Sequence, residues 1–253
     1  MFVCGIDCGS ESCKVVLLGE AGIAWNAQSY GNLSTSKVAR RVFEDLLTRE
    51  QISLKHVTRI VCTGVGKKSV EFAHESVSEI FCLAKAAGFL FPDAKSAVDV
   101  GARTLTAVRC WNGRVLKFVT SNRCASATGI FLKMAASLLG VKLEDFDLLF
   151  SGNESLCELQ SSCAVFAESE LISLIHEGRK IEELIGGVIS AVSSKILTAL
   201  QEIGAHTPLM ISGGVARLKS IRFLLEKELG RGVLVPEDPS IVTALGAALI
   251  AEE

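Results

Sequence analysis

The stretch that decides the fold is Gly5–Leu18, GIDCGSESCKVVLL. Phe2 to Ile6 reads as an apolar strand, Asp7 to Ser12 as a turn, and Cys13 to Leu18 as a returning strand with Lys14 at its base, together a β-hairpin. The turn is rich in glycine and hydroxyls. Gly9 lets the backbone approach an anion closely, and the turn amides with the Ser10 and Ser12 hydroxyls donate to phosphate oxygens. Asp7, at the strand end, is suited to hold Mg²⁺ through water, and Lys14 to meet a terminal phosphate. Alone, the same residues also describe an ordinary polar hairpin. The pattern recurs at Val98–Cys110, VDVGARTLTAVRC, where Asp99 and Gly101 stand as Asp7 and Gly9 do. A Gly-Gly turn, Ser212-Gly213-Gly214-Val215, comes later. Two acidic–glycine hairpins plus that turn make a clamp for a nucleotide.

Outward from the first hairpin, Gly22 to Tyr30 extends the sheet. Ser36–Arg49 has helical spacing (Val38, Val42, Leu46) with Thr35 or Ser36 as the expected cap. A short strand at Arg59–Cys62 and a helix at Val77–Phe89 close the first unit before Pro92. The second unit has strands at Ala97–Val100, Leu105–Cys110 and Val115–Thr120, with a hairpin turn at Asn112-Gly113. Helices follow at about 126–140, 163–177, 180–204, 217–229 and 240–251, with strands at Leu209–Ile211 and Val233–Val235. The expected fold is a duplicated, two-lobed α/β fold with a cleft between lobes. The first lobe is expected over 1–93 plus 239–253, the second over 94–238.

The 253 residues suffice for a sizeable core, and 49% hydrophobic against 21% charged residues excludes a disordered or fibrous chain. A net charge of −2 gives no basic field for nucleic acid or an anionic membrane. The best short apolar run, Ala244–Ala251, falls well below a membrane span, and the N-terminus lacks a basic segment and a long apolar core, so a cytoplasmic chain is expected.

Nine cysteines in a reducing compartment are buried thiols, metal ligands, or both. Cys124 and Cys163 each sit at a predicted helix start, where free amides and the positive end of the helix favour an anionic iron–sulfur cluster. Two cysteines cannot supply four ligands, so a cluster would need the same pair from a second subunit. Burial as small hydrophobes is the other reading of these two.

The chain resembles the ATPase component that activates 2-hydroxyacyl-CoA dehydratases, in the group that includes the ATP-binding subunits of benzoyl-CoA reductase. The stretches that carry the resemblance are GIDCGSESCKVVLL, TGVGKKSVEFA, EIFCLAKAAGFLFPDAKSAVDVGA, CASATGIFLKMAASLLGV, SSCAVFAESELISL, ISGGVAR and PEDPSIVTALGAALIA. They run in family order over nearly the whole chain, and the two cysteine stretches are the specific ones. The resemblance implies an actin-like (acetate-kinase, sugar-kinase, heat-shock-chaperone) ATPase fold. It implies MgATP bound at Gly9, Ser10, Glu11, Ser12, Cys13, Lys14, Gly101, Gly213, Gly214 and Val215, with Asp7, Asp99 and Arg103 in the catalytic positions. It also implies a homodimer, or a heterodimer with a sister subunit, bridged by one [4Fe–4S] cluster on Cys124 and Cys163 of each chain. ATP turnover would then drive a low-potential electron, received from a donor such as ferredoxin or flavodoxin, into a dehydratase or reductase iron–sulfur partner.

Three positions depart from the family pattern. Arg103 and Thr104 replace the usual glutamine and acid of the second phosphate turn, so water positioning by that turn is in doubt. Glu11 puts an extra carboxylate beside the phosphates, to be offset by magnesium or Lys14. Leu83 stands where a histidine is usual. These departures resemble the less regular ATPase subunit of benzoyl-CoA reductases and make a heteromer subunit the alternative reading. A metal-free small-molecule kinase ranks below both, for lack of an evident acceptor base.

Overall fold

The computed structural model describes residues 1–20, 22–31, 33–121, 128–150, 157, 159 and 164–253. The first sheet contains β1 (Phe2–Cys8), β2 (Ser12–Gly19), β3 (Gly22–Ser29), β4 (Val57–Thr63) and β5 (Glu75–Ser76), in the order β3-β2-β1-β4-β5. The second contains β6 (Ser96–Val100), β7 (Leu105–Trp111), β8 (Arg114–Ser121) and β9 (Leu209–Ser212), in the order β8-β7-β6-β9. In both, an antiparallel meander of three strands is extended by a strand parallel to the first. The duplication expected from the two hairpins therefore extends to whole-sheet topology.

Period-2 burial sets the layers. Cys4, Ile6, Cys13, Val15, Leu17, Ile60 and Cys62 point to α1 (Thr35–Arg49) on one face of the first sheet. Val16 and Val61 point the other way, to α8 (Val242–Ala251). In the second sheet, Ala97, Val108, Cys110 and Met210 face α2 (Glu79–Leu90), while Val98, Val100, Leu105, Ala107 and Ile211 face the main core. That core is closed by α3 (Gly129–Leu139), α4 (Phe146–Leu149), α5 (Ala164–His176), α6 (Ile181–Ile203) and α7 (Lys219–Leu229). The helix α2, which precedes the second sheet in sequence, is thus seated on it, and α8 returns to the first. The two helices pack on each other in the middle of the molecule.

This central stack is backbone on backbone. A Cβ added at Gly5 of β1 would drive into the Ala244 carbonyl of α8, and one added at Gly246 of α8 into the Cys82 carbonyl of α2. Apolar on all sides, α8 is buried at nearly every position, as such a helix must be.

The structure refines four expectations. Helix α1 is capped at Ser34, without a side-chain bond, rather than at Thr35 or Ser36. Val233–Val235 forms only a single bridge, Leu234 to Met210, because Pro236 ends the run. The turns at 143–149 fold as short helices that no periodicity marked. Finally, α6 does reach the length and mean hydropathy, 1.4, of a membrane span, although no such run was expected. Its most apolar window is 61% buried inside the molecule, as in the core helix of a globular lobe.

Gly246→Ala is expected to cost about 1–3 kcal/mol through overpacking of the α2–α8 contact, lowering the thermal midpoint by about 2–4 °C per kcal/mol. Gly232→Ala, whose added methyl meets only a glutamate oxygen at 3.7 Å, serves as the neutral control. Equal midpoints would refute the close-contact reading.

Candidate functional site

A cleft of about 630 Å³ opens between the two sheets at the carboxyl ends of β1 and β6. The two phosphate hairpins face it as near copies. Gly9 donates its amide to the Ser12 carbonyl (3.1 Å), and Gly101 to Thr104 (2.8 Å). Asp7 pairs across the parallel ladder with Thr63, and Asp99 with Ser212. The next residue along each outer strand is a glycine in the left-handed region, Gly64 at φ 90° and Gly213 at φ 85°. Each lies against the backbone of the facing hairpin strand, where no Cβ fits.

Electrostatics give the cleft its character. Lys14 Nζ bonds Asp7 Oδ2 at 3.1 Å, and the Thr243 hydroxyl of α8 donates to the same oxygen at 3.0 Å. Burial pulls the Lys14 ammonium down, but the charge and hydrogen bond of Asp7, with Asp99 behind them, outweigh it and keep Lys14 charged. Asp99 accepts from the Ser212 hydroxyl at 2.8 Å. Burial still raises it to about 6, the Asp7 charge adding to the effect. Glu79, the first residue of α2, also lines the cleft and is raised to about 7 by burial and then by Asp7 and Asp99. Three carboxylates thus share few cations, an arrangement that awaits positive charge.

Magnesium fits this deficit. Asp7 Oδ1 is buried and has no hydrogen-bond partner, an orphaned hard donor in the cleft wall. Among the described residues no three His, Cys, Asp or Glu side chains converge on one point. An ion here would therefore take most of its shell from water and phosphate, as Mg²⁺ does.

Glu11 and Arg103 occupy the same position in the two hairpins and carry opposite charges. Glu11 Oε1 lies 3.7 Å from Arg103, and Oε2 3.3 Å from Lys133 of α3. The offset for Glu11 thus comes from across the cleft rather than from Lys14, which is committed to Asp7. Of the expected site residues, Asp7, Gly9, Ser10, Glu11, Ser12, Lys14, Asp99, Gly101, Gly213, Gly214 and Val215 line the cleft. Arg103 is not among the lining residues, but its exposed guanidinium lies 3.7 Å from the cleft residue Glu11, and the Cys13 side chain is buried behind the hairpin. Cys124 and Cys163 lie outside the described residues.

Sequence reasoning missed Glu79, Thr243 and Ser240, which reach the cleft from helices brought in by chain return. It also missed Asp147, whose carboxylate caps α7 by accepting from the Lys219 and Ser220 amides, both at 2.9 Å. The Ser78-Glu79 start of α2 and the Asp238-Pro239-Ser240 run before α8 were the signals available for the first three. Nothing local marked Asp147.

Two carboxylate-bearing strand ends, two phosphate hairpins and a Gly-Gly turn around one cleft define a two-lobed ATPase. The chain belongs to the BadF/BadG/BcrA/BcrD ATPase family, which it matches over residues 4–251. It is 31% identical to the 2-hydroxyisocaproyl-CoA dehydratase activator of Clostridioides difficile, over 99% of this chain and 95% of the relative. The solved structure of the activator of that dehydratase from Clostridium difficile with bound ADPNP superposes with a TM-score of 0.91, at 30% identity, covering 99% of this chain and 94% of that one. A benzoyl-CoA reductase subunit of Thauera aromatica is 26% identical over 97% of this chain and 91% of its own length. The fold is thus the duplicated actin-like α/β ATPase fold expected from the sequence.

Two predictions follow from the charges. Because Asp99 titrates higher folded than its ordinary 3.8, the native state binds the extra proton between about pH 4 and 6, and stability falls as pH rises through that window. Asp99→Asn should therefore melt higher than wild type in the absence of nucleotide. The gap should widen from pH 4 to 6 and stay constant to pH 8, read by scanning fluorimetry; a gap that shrinks with pH would contradict it. Glu11→Gln frees Arg103 and Lys133 for phosphate and should tighten ATP binding about two- to fivefold by calorimetry, the scale of exposed ion pairs. Weaker binding would mean that Glu11 itself serves the ligand.

Proposed function

We propose that the chain is an ATP-driven electron-transfer activator of a 2-hydroxyacyl-CoA dehydratase-type enzyme. It works in the cytoplasm, away from membranes and nucleic acid, as a homodimer that shares one [4Fe–4S] cluster held by Cys124 and Cys163 of each chain. The observation that carries this reading is the anchoring of α3. The Gly129 amide bonds the Gly101 carbonyl and the Ile130 amide the Ala102 carbonyl, both at 2.9 Å. The helix that follows the Cys124 stretch is therefore rooted on the second phosphate turn. A shift of that turn on binding or losing the terminal phosphate moves the start of α3, the helix that follows Cys124 in sequence. Helix α5 begins at the residue after Cys163, and Phe166 in its first turn is exposed, as suits a twofold contact.

When bound by Cys124 and Cys163 of both chains, a [4Fe–4S] cluster would supply the low-potential electron chemistry, with a ferredoxin- or flavodoxin-type donor as its source. The chain's own residues act on the nucleotide. Asp7 would hold Mg²⁺; the Gly9–Ser12 turn and Lys14 bind the β- and γ-phosphates; Asp99 and Gly101 approach from the opposite side; and Gly213–Val215 meet the nucleoside. Glu79, poised near neutrality, orients and deprotonates the attacking water in place of the missing glutamine.

Anaerobic reconstitution with iron and sulfide should give a brown dimer with about four irons per pair of chains. Cys124→Ser and Cys163→Ser should lose the iron while still binding MgATP; iron retained in both would defeat the assignment. The hydrolysis rate should climb with pH around 7, and Glu79→Gln should flatten that rise.

The pairing of Arg103 with Glu11, at the turn position where the family usually has glutamine, supports a second reading, a subunit of benzoyl-CoA reductase type paired with a regular sister. It predicts feeble hydrolysis by the isolated chain and recovery on adding the sister, whereas brisk turnover by the homodimer would exclude it.

A further inference from the structure

The phosphate hairpin carries two thiols that the ATPase chemistry does not use. Cys8 and Cys13 are opposite each other in the β1–β2 ladder. The Gly9–Ser12 hydrogen bond lies one step nearer the tip, so Cys8 and Cys13 form a non-hydrogen-bonded pair, the kind whose Cα atoms come within about 4.5 Å. Their sulfurs are 3.7 Å apart. A disulfide needs about 2.05 Å between sulfurs and a Cα spacing of about 4.4–6.8 Å, so small side-chain rotations close the bond with little movement of the strands. The fold does not require thiols here. The matching positions of the second hairpin are Val100 and Leu105, also opposite each other and buried. Each thiol also adjoins a functional group: Asp7 precedes Cys8 and Lys14 follows Cys13, and these two side chains are bonded to each other.

We propose that Cys8 and Cys13 are a redox modification site, closed to an intrachain disulfide by a small hydroperoxide and coupled to nucleotide binding. One thiol attacks hydrogen peroxide, breaks the O–O bond, becomes a sulfenic acid and releases one water. The second sulfur displaces the sulfenic hydroxyl as a second water and forms the S–S bond. Both electrons pass from the sulfurs to the peroxide. The hydrogen-bonded neighbour Cys8 and burial raise the Cys13 thiol well above its ordinary value. Cys13 therefore gains no thiolate stabilisation, which favours a persistent disulfide once formed. The new bond fixes the neighbours of Asp7 and Lys14, so oxidation and MgATP oppose one another reciprocally.

The test is mass spectrometry on the anaerobic holoprotein dosed with hydrogen peroxide, with and without MgATP, then alkylated and digested with trypsin. One tryptic peptide, Met1–Lys14, contains Cys4, Cys8 and Cys13. It should lose two hydrogens, with fragment ions placing the bond between Cys8 and Cys13. A dithiol reductant should reverse the change and MgATP should slow it severalfold. Oxidised protein should bind ATP at least threefold more weakly, measured by calorimetry at fixed Mg²⁺ and compared with the re-reduced sample. The double variant Cys8→Val, Cys13→Leu, which borrows the pair of the second hairpin, should fold by circular dichroism and show no peroxide-dependent change in ATP affinity. Full alkylation of both thiols after peroxide, a bond to Cys4, sulfonic acid at either position, or unchanged ATP affinity would each overturn the proposal. Loss of iron from the cluster registers on the peptides of Cys124 and Cys163, so a failure there is separable from a failure here.

Discussion

The two halves of the molecule meet through backbone packed on backbone. Gly5 lets α8 lie directly on β1, and Gly246 lets α2 lie directly on α8. This stack brings the ends of β1 and β6 to one cleft, so that the charge of Asp7 helps to raise Asp99. Any side chain between these layers would part the hairpins. The stack also supplies side chains to the site, because Thr243, which bonds Asp7, belongs to α8, and Glu79 begins α2.

That geometry concentrates negative charge where the solvent is poor. Burial raises Asp99 and Glu79, and Lys14 is already committed to Asp7. In the unliganded protein this is a cost; with a divalent cation and a polyphosphate it becomes the reason for binding, since charge that destabilises the apo state is matched only when metal and anion arrive together. The opposed charges of Glu11 and Arg103 act on the same equilibrium from the rim of the cleft. Being exposed, they adjust affinity modestly rather than deciding it.

Much of this was legible in the chain because it is written locally. The hairpin Asp7–Lys14, its copy at Asp99–Thr106 and the Gly-Gly turn each encode their shape in consecutive residues, and the apolar runs gave every strand but the short β5 within a residue or two, while overstating Val233–Val235. What the sequence hid depends on contacts between distant segments. The crossing of α2 to the second sheet is set by small residues, Ala84, Ala86 and Ala87, which fit many surfaces equally well. Glu79 and Thr243 stand out only once the α2–α8 stack brings them to the cleft with Asp7. The pairing of Arg103 with Glu11 of the other hairpin could not be read from either turn alone. Cys13 begins the returning strand as expected, and only the pairing with Cys8 shows that its side chain is buried.

The carboxylates of this cleft need metal before they accept a polyphosphate. Calorimetric titration of ATP into the purified chain, with magnesium present and then chelated, measures this most directly. One ATP should bind per chain, with affinity falling at least tenfold when magnesium is removed and the same loss appearing in Asp7→Asn with magnesium present. Equal affinity with and without magnesium, and in Asp7→Asn, would show that the nucleotide does not engage this cleft as described.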